Sequence, residues 1–309
     1  MYEAYKITTI SSVLLATLFL THPVQATEGG APTTAFGVYD FGAGFTPPPS
    51  PTGTVGLRTN YYWANTVKDR HGRDNGTDFS LGVLSLGLAY IRMTDTELLG
   101  AKYGFGVIAP FFDMDADLKV KVGGTTVFSD STHVFRQADL QVLPLILQWT
   151  PSRNLGINAQ FQIQAPTGDY DKNRLVSPGL NHWTFSPIVN ATYISDSGFE
   201  VSSSFELDVN TRNHSTDYKS GTEYRHEFAV GQHFGPWTAG IGGYYYRQLS
   251  DDDAPNLTYG NRARVLAIGP AVSFFQPGLP PVWVHAYKEF DARNRTEGYA
   301  VAVRFSHSF

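Results

Sequence analysis

The feature that most constrains this chain is the strict alternation of bulky apolar residues with small or polar residues over its last fifteen positions, 295–309. Because successive side chains of a strand point to opposite faces, this stretch predicts a strand with one apolar face. The residues on that face are Tyr299, Val301, Val303, Phe305 and Phe309. An aromatic residue at the frayed end of a soluble sheet buries little. In a bilayer, however, the last strand of a closed barrel pairs with the first and places aromatic residues at the interface. The pattern therefore favours a membrane barrel, and the edge strand of a soluble sandwich is the alternative.

The first 26 residues have the organisation of a secretory signal. Lys6 supplies the positive charge, residues 7–20 supply an apolar core, and residues 24–26 give a small-residue cleavage pattern. The apolar run is shorter than the ~20 residues that a spanning helix needs. We therefore predict export through a cleaved signal peptide (residues 1–26), with the mature chain starting at Thr27.

The composition agrees with membrane β-structure and argues against other classes. The chain has no cysteine, so a disulfide framework is excluded, and it has 17 Tyr, 21 Phe, 5 Trp and 30 Gly. Aromatic girdles are typical of outer-membrane barrels. The net charge of −5 is spread along the chain without a basic block, which indicates that nucleic acid is not a partner.

Alternation begins at Thr52 and continues almost without interruption to the end of the chain. We predict twelve strands, at about 52–66, 78–93, 97–121, 125–150, 154–166, 181–195, 198–212, 219–234, 236–250, 259–275, 281–292 and 295–309. Short connections, including one at 94–96, alternate with longer ones. This is the pattern of outer-membrane barrels, whose short turns are periplasmic. The predicted fold is all-β, a transmembrane antiparallel β-barrel of about 12 strands formed by residues 52–309, with both of its ends in the periplasm.

The two parities of each strand predict its two faces. The apolar parity carries bulky residues on strand after strand, whereas the opposite parity carries Glu, Arg, Gln and His. A dry core could not hold such charges without a large desolvation cost, so the polar face should line an aqueous lumen. The fourth strand is mixed: Leu143 falls on the apolar parity, and Val142, Pro144 and Ile146 fall on the lumen parity.

Residues 27–51 show no alternation and cannot form a regular ladder, because proline lacks the N–H group. We expect an N-terminal extension that lies in the periplasm or folds into the barrel as a plug. Its candidate plug residues are Glu28, Gly29, Gly30, Pro47, Pro48 and Pro49.

Two motifs flank the longest loop, Pro166-Thr167-Gly168-Asp169-Tyr170 before it and Asn181-His182-Trp183-Thr184-Phe185 after it. Together with Glu28-Gly29-Gly30 and the proline run, they resemble the meta-pathway phenol-degradation-like outer-membrane proteins, also described as a SphA-type transporter family. The resemblance covers residues 28–309, and the loop motif is its most specific part. It implies an outer-membrane barrel associated with pathways for aromatic or other hydrophobic compounds, with a role in uptake.

Several residues on the lumen parity are candidates for contact with a solute. They are Tyr62, Arg58, His182, Glu206, Glu223, Arg225, Glu227, Tyr244, Tyr246, Trp283, His285 and Tyr287. Mixed aromatic and hydrogen-bonding groups suit an amphiphile such as a phenol. The structural alternatives are that His182 fixes the loop to the wall, and that the Glu/Arg ladder is a solvated cross-strand charge network.

Other chemistry finds little support in the sequence. Residues 251–253 and the carboxylates between 113 and 117 lack the spacing of a calcium loop, so we predict no metal and no cofactor. Two Ser-His neighbours, at 214–215 and at 306–308, would point to opposite faces of a strand and cannot relay a proton. An enzyme is therefore not expected.

The sequence predicts a channel in the outer membrane of a Gram-negative bacterium for passive uptake of small hydrophobic or aromatic compounds. The expected partners are outer-membrane lipid, the solute, and the barrel-assembly machinery, which would recognise Phe309. A general porin, a structural barrel or an outer-membrane enzyme are the alternatives.

Overall fold

The computed structural model describes residues 26–309 except 31, 124, 256, 258 and 259. The predicted signal peptide therefore lies outside the described residues apart from Ala26. One short 3-10 helix, Glu28–Gly30, precedes thirteen β-strands. Among the described residues, no helix is long and apolar enough to cross a membrane.

The strands follow one another along the chain in a single sheet. Their bounds are β1 Thr54–Lys68, β2 Asp78–Leu98, β3 Ala101–Val122, β4 Thr125–Gln137, β5 Leu140–Ser152, β6 Leu155–Ala165, β7 Thr184–Ile194, β8 Phe199–Asn210, β9 Glu223–Phe234, β10 Trp237–Gln248, β11 Arg264–Phe274, β12 Val282–Arg293 and β13 Arg295–Ser308. All pairs are antiparallel and join strands that are consecutive in the chain, except that β5 pairs with β3 instead of β4 and that β13 pairs with β1. The sheet therefore closes into a barrel.

The predicted fourth strand is present as two strands that share one place in the wall. β5 pairs with the first part of β3, and β4 pairs with the remainder of β3. The wall is thus a closed antiparallel barrel of twelve strands with one extra strand, as the sequence predicted. Strand β4 and the facing part of β3 form a hairpin that extends past the wall. The interruption between β4 and β5 consists of Ala138 and Asp139. Here the Asp139 side chain accepts hydrogen bonds from Gly168 N (2.8 Å) and Leu180 N (2.9 Å) of the β6–β7 loop.

One end of the barrel has short connections, and the other has all of the longest ones. The short-turn end carries the connections at 99–100, 153–154, 195–198, 235–236 and 275–281. The long-loop end carries 69–77, 166–183, 211–222 and 249–263, together with the one-residue turn at Asn294 between β12 and β13. The predicted turn at 94–96 is wrong, because these residues belong to β2. The chain turns instead at Leu99 and Gly100, whose positive φ angles of 54° and 72° allow the reversal.

The two predicted faces are present in the wall. The apolar parity is exposed on the outside, as at Trp63, Val201 and Val303, whereas the opposite parity is buried inside. The exception is the start of β5, where Val142 is 42% exposed and Leu143 is 2% exposed. The predicted faces of Val142, Leu143 and Pro144 are therefore wrong, whereas Ile146 is buried inside as expected.

A β-bulge explains this exception. The β5–β6 pairing shifts between Val142 and Leu145, so that two residues on β5 oppose one residue on β6. Pro144 lies within the bulge, where its missing N–H costs no ladder hydrogen bond. The extra residue reverses the parity of everything that precedes it.

Candidate functional site

The barrel interior contains residues 26–30 and 32–46, which we name the inner segment. At the long-loop end, Ala26 N donates to Asn294 O (2.9 Å), and Glu28 accepts from Asn213 Nδ2 (2.8 Å) and Thr216 Oγ1 (2.6 Å). At the short-turn end, Thr46 N donates to Gln148 Oε1 (2.9 Å). The inner segment therefore passes from one end of the barrel to the other before the chain enters β1.

Inward-facing carboxylates hold the backbone of the inner segment. Glu227 accepts from Gly37 N (2.7 Å) and Tyr39 N (2.6 Å), and Glu200 accepts from Gly42 N (2.7 Å). Glu223 accepts from the backbone N–H of the segment's Thr33 (3.3 Å) and from its hydroxyl. An irregular backbone has no ladder partners of its own, so its buried N–H groups need acceptors from elsewhere. The charged ladder of the wall supplies them.

Arg225 provides the matching donor for the segment's carbonyl groups. Its guanidinium is buried, forms an ion pair with Glu206, and lies 3.4 Å from Glu227. It also donates to Thr34 O (3.2 Å) and Ala35 O (2.8 Å). A buried charge of this kind is tolerated only when it is paired and hydrogen-bonded. The same charged side chains therefore form the cross-strand network of the wall and bind the inner segment.

A second cluster holds the middle of the inner segment from the opposite wall. Asp40 accepts from Arg304 Nη2 (2.8 Å) and lies 3.2 Å from His285 Nδ1. Arg58 donates to Phe36 O (2.7 Å) and Gly37 O (3.0 Å). In addition, the Trp283 Nε1–H group donates to the carbonyl of Phe41 (2.9 Å).

Aromatic and guanidinium groups surround Phe36, and we name this niche the Phe36 cage. The Phe36 ring centroid lies 4.8 Å from that of Tyr244 and 4.9 Å from that of Tyr246. The guanidinium carbons of Arg225 and Arg295 lie 5.5 Å and 5.0 Å from the Phe36 centroid. This is the arrangement of a cation–π site, with an aromatic side chain of the protein itself as its occupant.

Carboxylates of the barrel wall bind the polar atoms of the cage residues. Tyr244 and Tyr246 donate their hydroxyls to Glu289 (2.7 Å) and Glu223 (2.9 Å). Glu289 also accepts from Tyr62 OH (2.8 Å) and pairs with Arg295 at 3.1 Å. These contacts fix the orientation of the rings. Next to the cage, the buried hydroxyl of Tyr287 has no hydrogen-bond partner among the described residues.

Close packing fixes the part of the inner segment nearer the short-turn end. A Cβ atom added to Gly44 would lie 2.2 Å from Thr192 N and 2.3 Å from Gly156 O. Phe41 is 2% exposed and packs against Ala229 and Ala271. No side chain larger than hydrogen fits at position 44 while the backbone stays in place.

The predicted lumen residues on strands β1 and β8–β12 are brought together around the inner segment. His182 is buried at the base of the β6–β7 loop, where its Nδ1 lies 3.3 Å from Trp183 O, and it is not part of the Phe36 cage. Gly29 and Gly30 lie at the long-loop end, and both have positive φ angles. The proline run at 47–49 follows the inner segment at the short-turn end. Among the described residues, no group of three His, Cys, Asp or Glu side chains could hold a metal ion.

Sequence reasoning missed four important residues, Phe36, Asp40, Arg295 and Arg304. Arg295 and Arg304 lie on the last strand, and Arg304 shares a parity with small inward residues, so its charge there was a usable signal. Phe36 and Asp40 lie in the non-alternating segment, where no periodicity indicates which way a side chain points.

A closed antiparallel barrel of twelve strands with an apolar outer face is the architecture of outer-membrane barrels. The chain matches the family described as "Putative MetA-pathway of phenol degradation" over residues 64–305, and it belongs to that family. No curated protein sequence matches it significantly.

Alignment with a solved structure supports the same fold. The outer membrane channel COG4313 from Pseudomonas putida F1 aligns with a TM-score of 0.73 and 13% identity, covering 87% of this chain and 98% of the other. The β domain of the Bordetella autotransporter BrkA aligns with a TM-score of 0.49 and 11% identity, over 84% of this chain and 100% of the other. The monoaromatic hydrocarbon channel CymD aligns with a TM-score of 0.45 and 8% identity, over 83% of this chain and 88% of the other.

Proposed function

We propose that this protein is an outer-membrane channel for passive uptake of small aromatic compounds, and that the inner segment closes it at rest. The observation that carries the proposal is the Phe36 cage. The family's description refers to phenol degradation, and the aligned protein from Pseudomonas putida is described as an outer membrane channel. The family description agrees with a solute that has an aromatic ring, and the aligned structure agrees with a channel.

The cage has the chemistry to receive such a ring. Guanidinium groups attract the faces of aromatic rings, and the tyrosine rings add stacking surface. Tyr287, whose ring centroid lies 6.1 Å from that of Tyr244, has a hydroxyl that is unpartnered among the described residues, and Glu223 accepts from the Tyr246 hydroxyl, so these two groups are the candidates to bond a phenolic hydroxyl. In the closed state Phe36 takes the place of the solute.

The charge around the cage favours a neutral solute. Four carboxylates, those of Glu206, Glu223, Glu227 and Glu289, contact cage members, against three guanidinium groups, those of Arg58, Arg225 and Arg295. An aromatic carboxylate would meet this excess of negative charge, whereas a phenol can donate a hydrogen bond to it. A channel needs only weak binding at several places, because tight binding would prevent release.

In this proposal the long loops face the outside of a Gram-negative cell and the short turns face the periplasm. The solute enters between the long loops and displaces part of the inner segment. Phe309, which is 68% exposed at the short-turn end, is accessible to the barrel-assembly machinery. A general porin is the alternative, and conductance separates the two.

Deleting residues 28–50 tests the closing role of the inner segment. We expect the full chain to show small currents in planar bilayers, and the deletion variant to show large, unselective ones. If conductance and uptake of aromatic compounds are unchanged, the inner segment does not close the channel. A large, steady conductance of the full chain would instead indicate a general porin.

Binding to a vacated cage tests the solute class. Phe36→Ala should bind phenol at least tenfold more tightly than Phe41→Ala in isothermal titration, because both remove one aromatic ring from the inner segment but only Phe36 occupies the cage. Benzoate should bind neither variant. Equal phenol affinity for the two variants, or equal affinity of Phe36→Ala for phenol and benzoate, would refute this role of the cage.

A further inference from the structure

A cavity lies outside the barrel wall, at the rim of the long-loop end. Its volume is about 280 Å³, and five arginines line it together with Asp251. The arginines are Arg70, Arg247, Arg262, Arg264 and Arg293. They come from the β1–β2 loop and from the rim ends of β10, β11 and β12, so the cavity, which we name the arginine cavity, is separate from the barrel interior.

The positive charge of the arginine cavity is only partly neutralised. Arg262 pairs with Asp251 at 2.8 Å, and Arg264 pairs with Asp291 at 2.6 Å. In the part of the chain that the structure describes, Arg247 and Arg293 have no carboxylate partner. Among the described residues, the buried Nε atoms of Arg264 and Arg293 have no hydrogen-bond acceptor. Since buried donors are normally satisfied, these two groups are suited to bind an acceptor.

The surroundings of the arginine cavity indicate which kind of molecule would supply an acceptor to these arginines. Arg264 lies on the outward parity of β11, and the next outward residues along that strand are Leu266 and Ile268. On β12, Phe290 is also on the outward face. The arginines thus lie at the long-loop end of the barrel, where the apolar outer face that meets lipid acyl chains ends. A free anion would contact the arginines alone, whereas a lipid would contact both surfaces.

We propose that the arginine cavity binds the phosphate group of a membrane lipid in the leaflet at the long-loop end. Guanidinium groups match phosphate oxygens with paired hydrogen bonds, and a phosphate monoester carries up to two negative charges. The phosphate supplies the acceptors that Arg264 and Arg293 lack and neutralises Arg247. The acyl chains then lie against Leu266, Ile268 and Phe290.

Native mass spectrometry of the full chain in detergent tests this site. The probes are phosphatidic acid, phosphatidylcholine with the same acyl chains, and inorganic phosphate. We expect the protein to retain one phosphatidic acid and much less phosphatidylcholine. The double variant Arg247→Gln/Arg293→Gln should retain phosphatidic acid at least tenfold less. Arg153→Gln, at the opposite end of the barrel, should behave like the unmodified protein.

Each outcome decides the proposal. Equal retention of phosphatidic acid by the double variant and the unmodified protein would overturn it. Displacement of phosphatidic acid by an equimolar amount of inorganic phosphate would assign the site to the free anion instead of a lipid. If the double variant does not fold, as judged from its heat-modifiable mobility in gels, the exposed single variant Arg247→Gln replaces it with an expected loss of at least threefold.

Discussion

Gly44 offers the sharpest test of whether the inner segment closes the barrel. In Gly44→Ala the added methyl would lie 2.2 Å from Thr192 N and 2.3 Å from Gly156 O, and both atoms belong to the backbone of the wall. Ordinary contacts begin near 3.4 Å. A hydrogen-bonded wall cannot yield by an ångström, so the inner segment must move away from it.

The magnitude follows from the contacts that this movement breaks. The stretch around Gly44 makes hydrogen bonds from Gly42 N to Glu200, Gly44 N to Thr192, Thr46 N to Gln148, Gln148 Nε2 to Gly44 O and Asn158 Nδ2 to Ala43 O. At about 0.5–1.5 kcal/mol each, losing all of them weakens docking by about 2.5–7.5 kcal/mol. Even the lower limit increases the undocked population more than about 50-fold, since 1.4 kcal/mol corresponds to a factor of ten.

Single-channel recording in planar bilayers measures this population. We expect Gly44→Ala to open far more often than the unmodified protein, with a conductance near that of the variant lacking residues 28–50. Gly42→Ala is the control: a Cβ there meets nothing within 4 Å, and its φ of +76° costs about 1–2 kcal/mol, so it should open less often than Gly44→Ala. If the recordings of Gly44→Ala match those of the unmodified protein, the proposed closure by the inner segment is refuted.

Three further changes test other parts of the structure. Asp139→Ala removes the acceptor of two backbone N–H groups, so the β6–β7 loop should lose about 2–6 kcal/mol of local stability and be cleaved faster by proteases. Val303→Arg places a charge in the middle of the outer face of β13 and should cost about 2–4 kcal/mol in urea unfolding from lipid vesicles, whereas Val127→Arg on the protruding hairpin should cost less than about 0.5 kcal/mol. Hydrogen bonds to the Asp69 carboxylate, first from the backbone N–H of Arg73, lower its pKa to about 2. A depressed pKa stabilises the loop at higher pH, so the amide resonance of Arg73 should shift as the pH falls towards 2 and not near 4, and Asp69→Asn should abolish the shift.

The sequence predicted the wall of the barrel well because the wall has a period of two. Each outward residue meets lipid and each inward residue meets polar groups, so the parity of a residue such as Val201 or Glu206 decides its face. The prediction failed at Pro144, where one inserted residue reversed the parity. Such bulges have no compositional signature beyond the proline itself.

The interior could be predicted only in part. The charged residues of β8 and β9 were recognisable because they share a parity, but their partners are backbone groups of the inner segment. Which carboxylate receives which N–H group depends on an irregular path that no periodicity describes. The role of Gly44 is an example, since only the distance to the facing wall shows that a side chain cannot fit there.

The path of the inner segment has a consequence for how the protein assembles. All strand pairs except β1–β13 join strands that are near one another in the sequence, whereas that pair joins Thr54–Lys68 to Arg295–Ser308. Contacts between such distant parts of a chain form slowly. The inner segment immediately precedes β1 and contacts β8, β9, β12 and β13 from within. We therefore expect the growing sheet to curl around the inner segment, and the final pairing of β1 with β13 to enclose the segment inside the barrel.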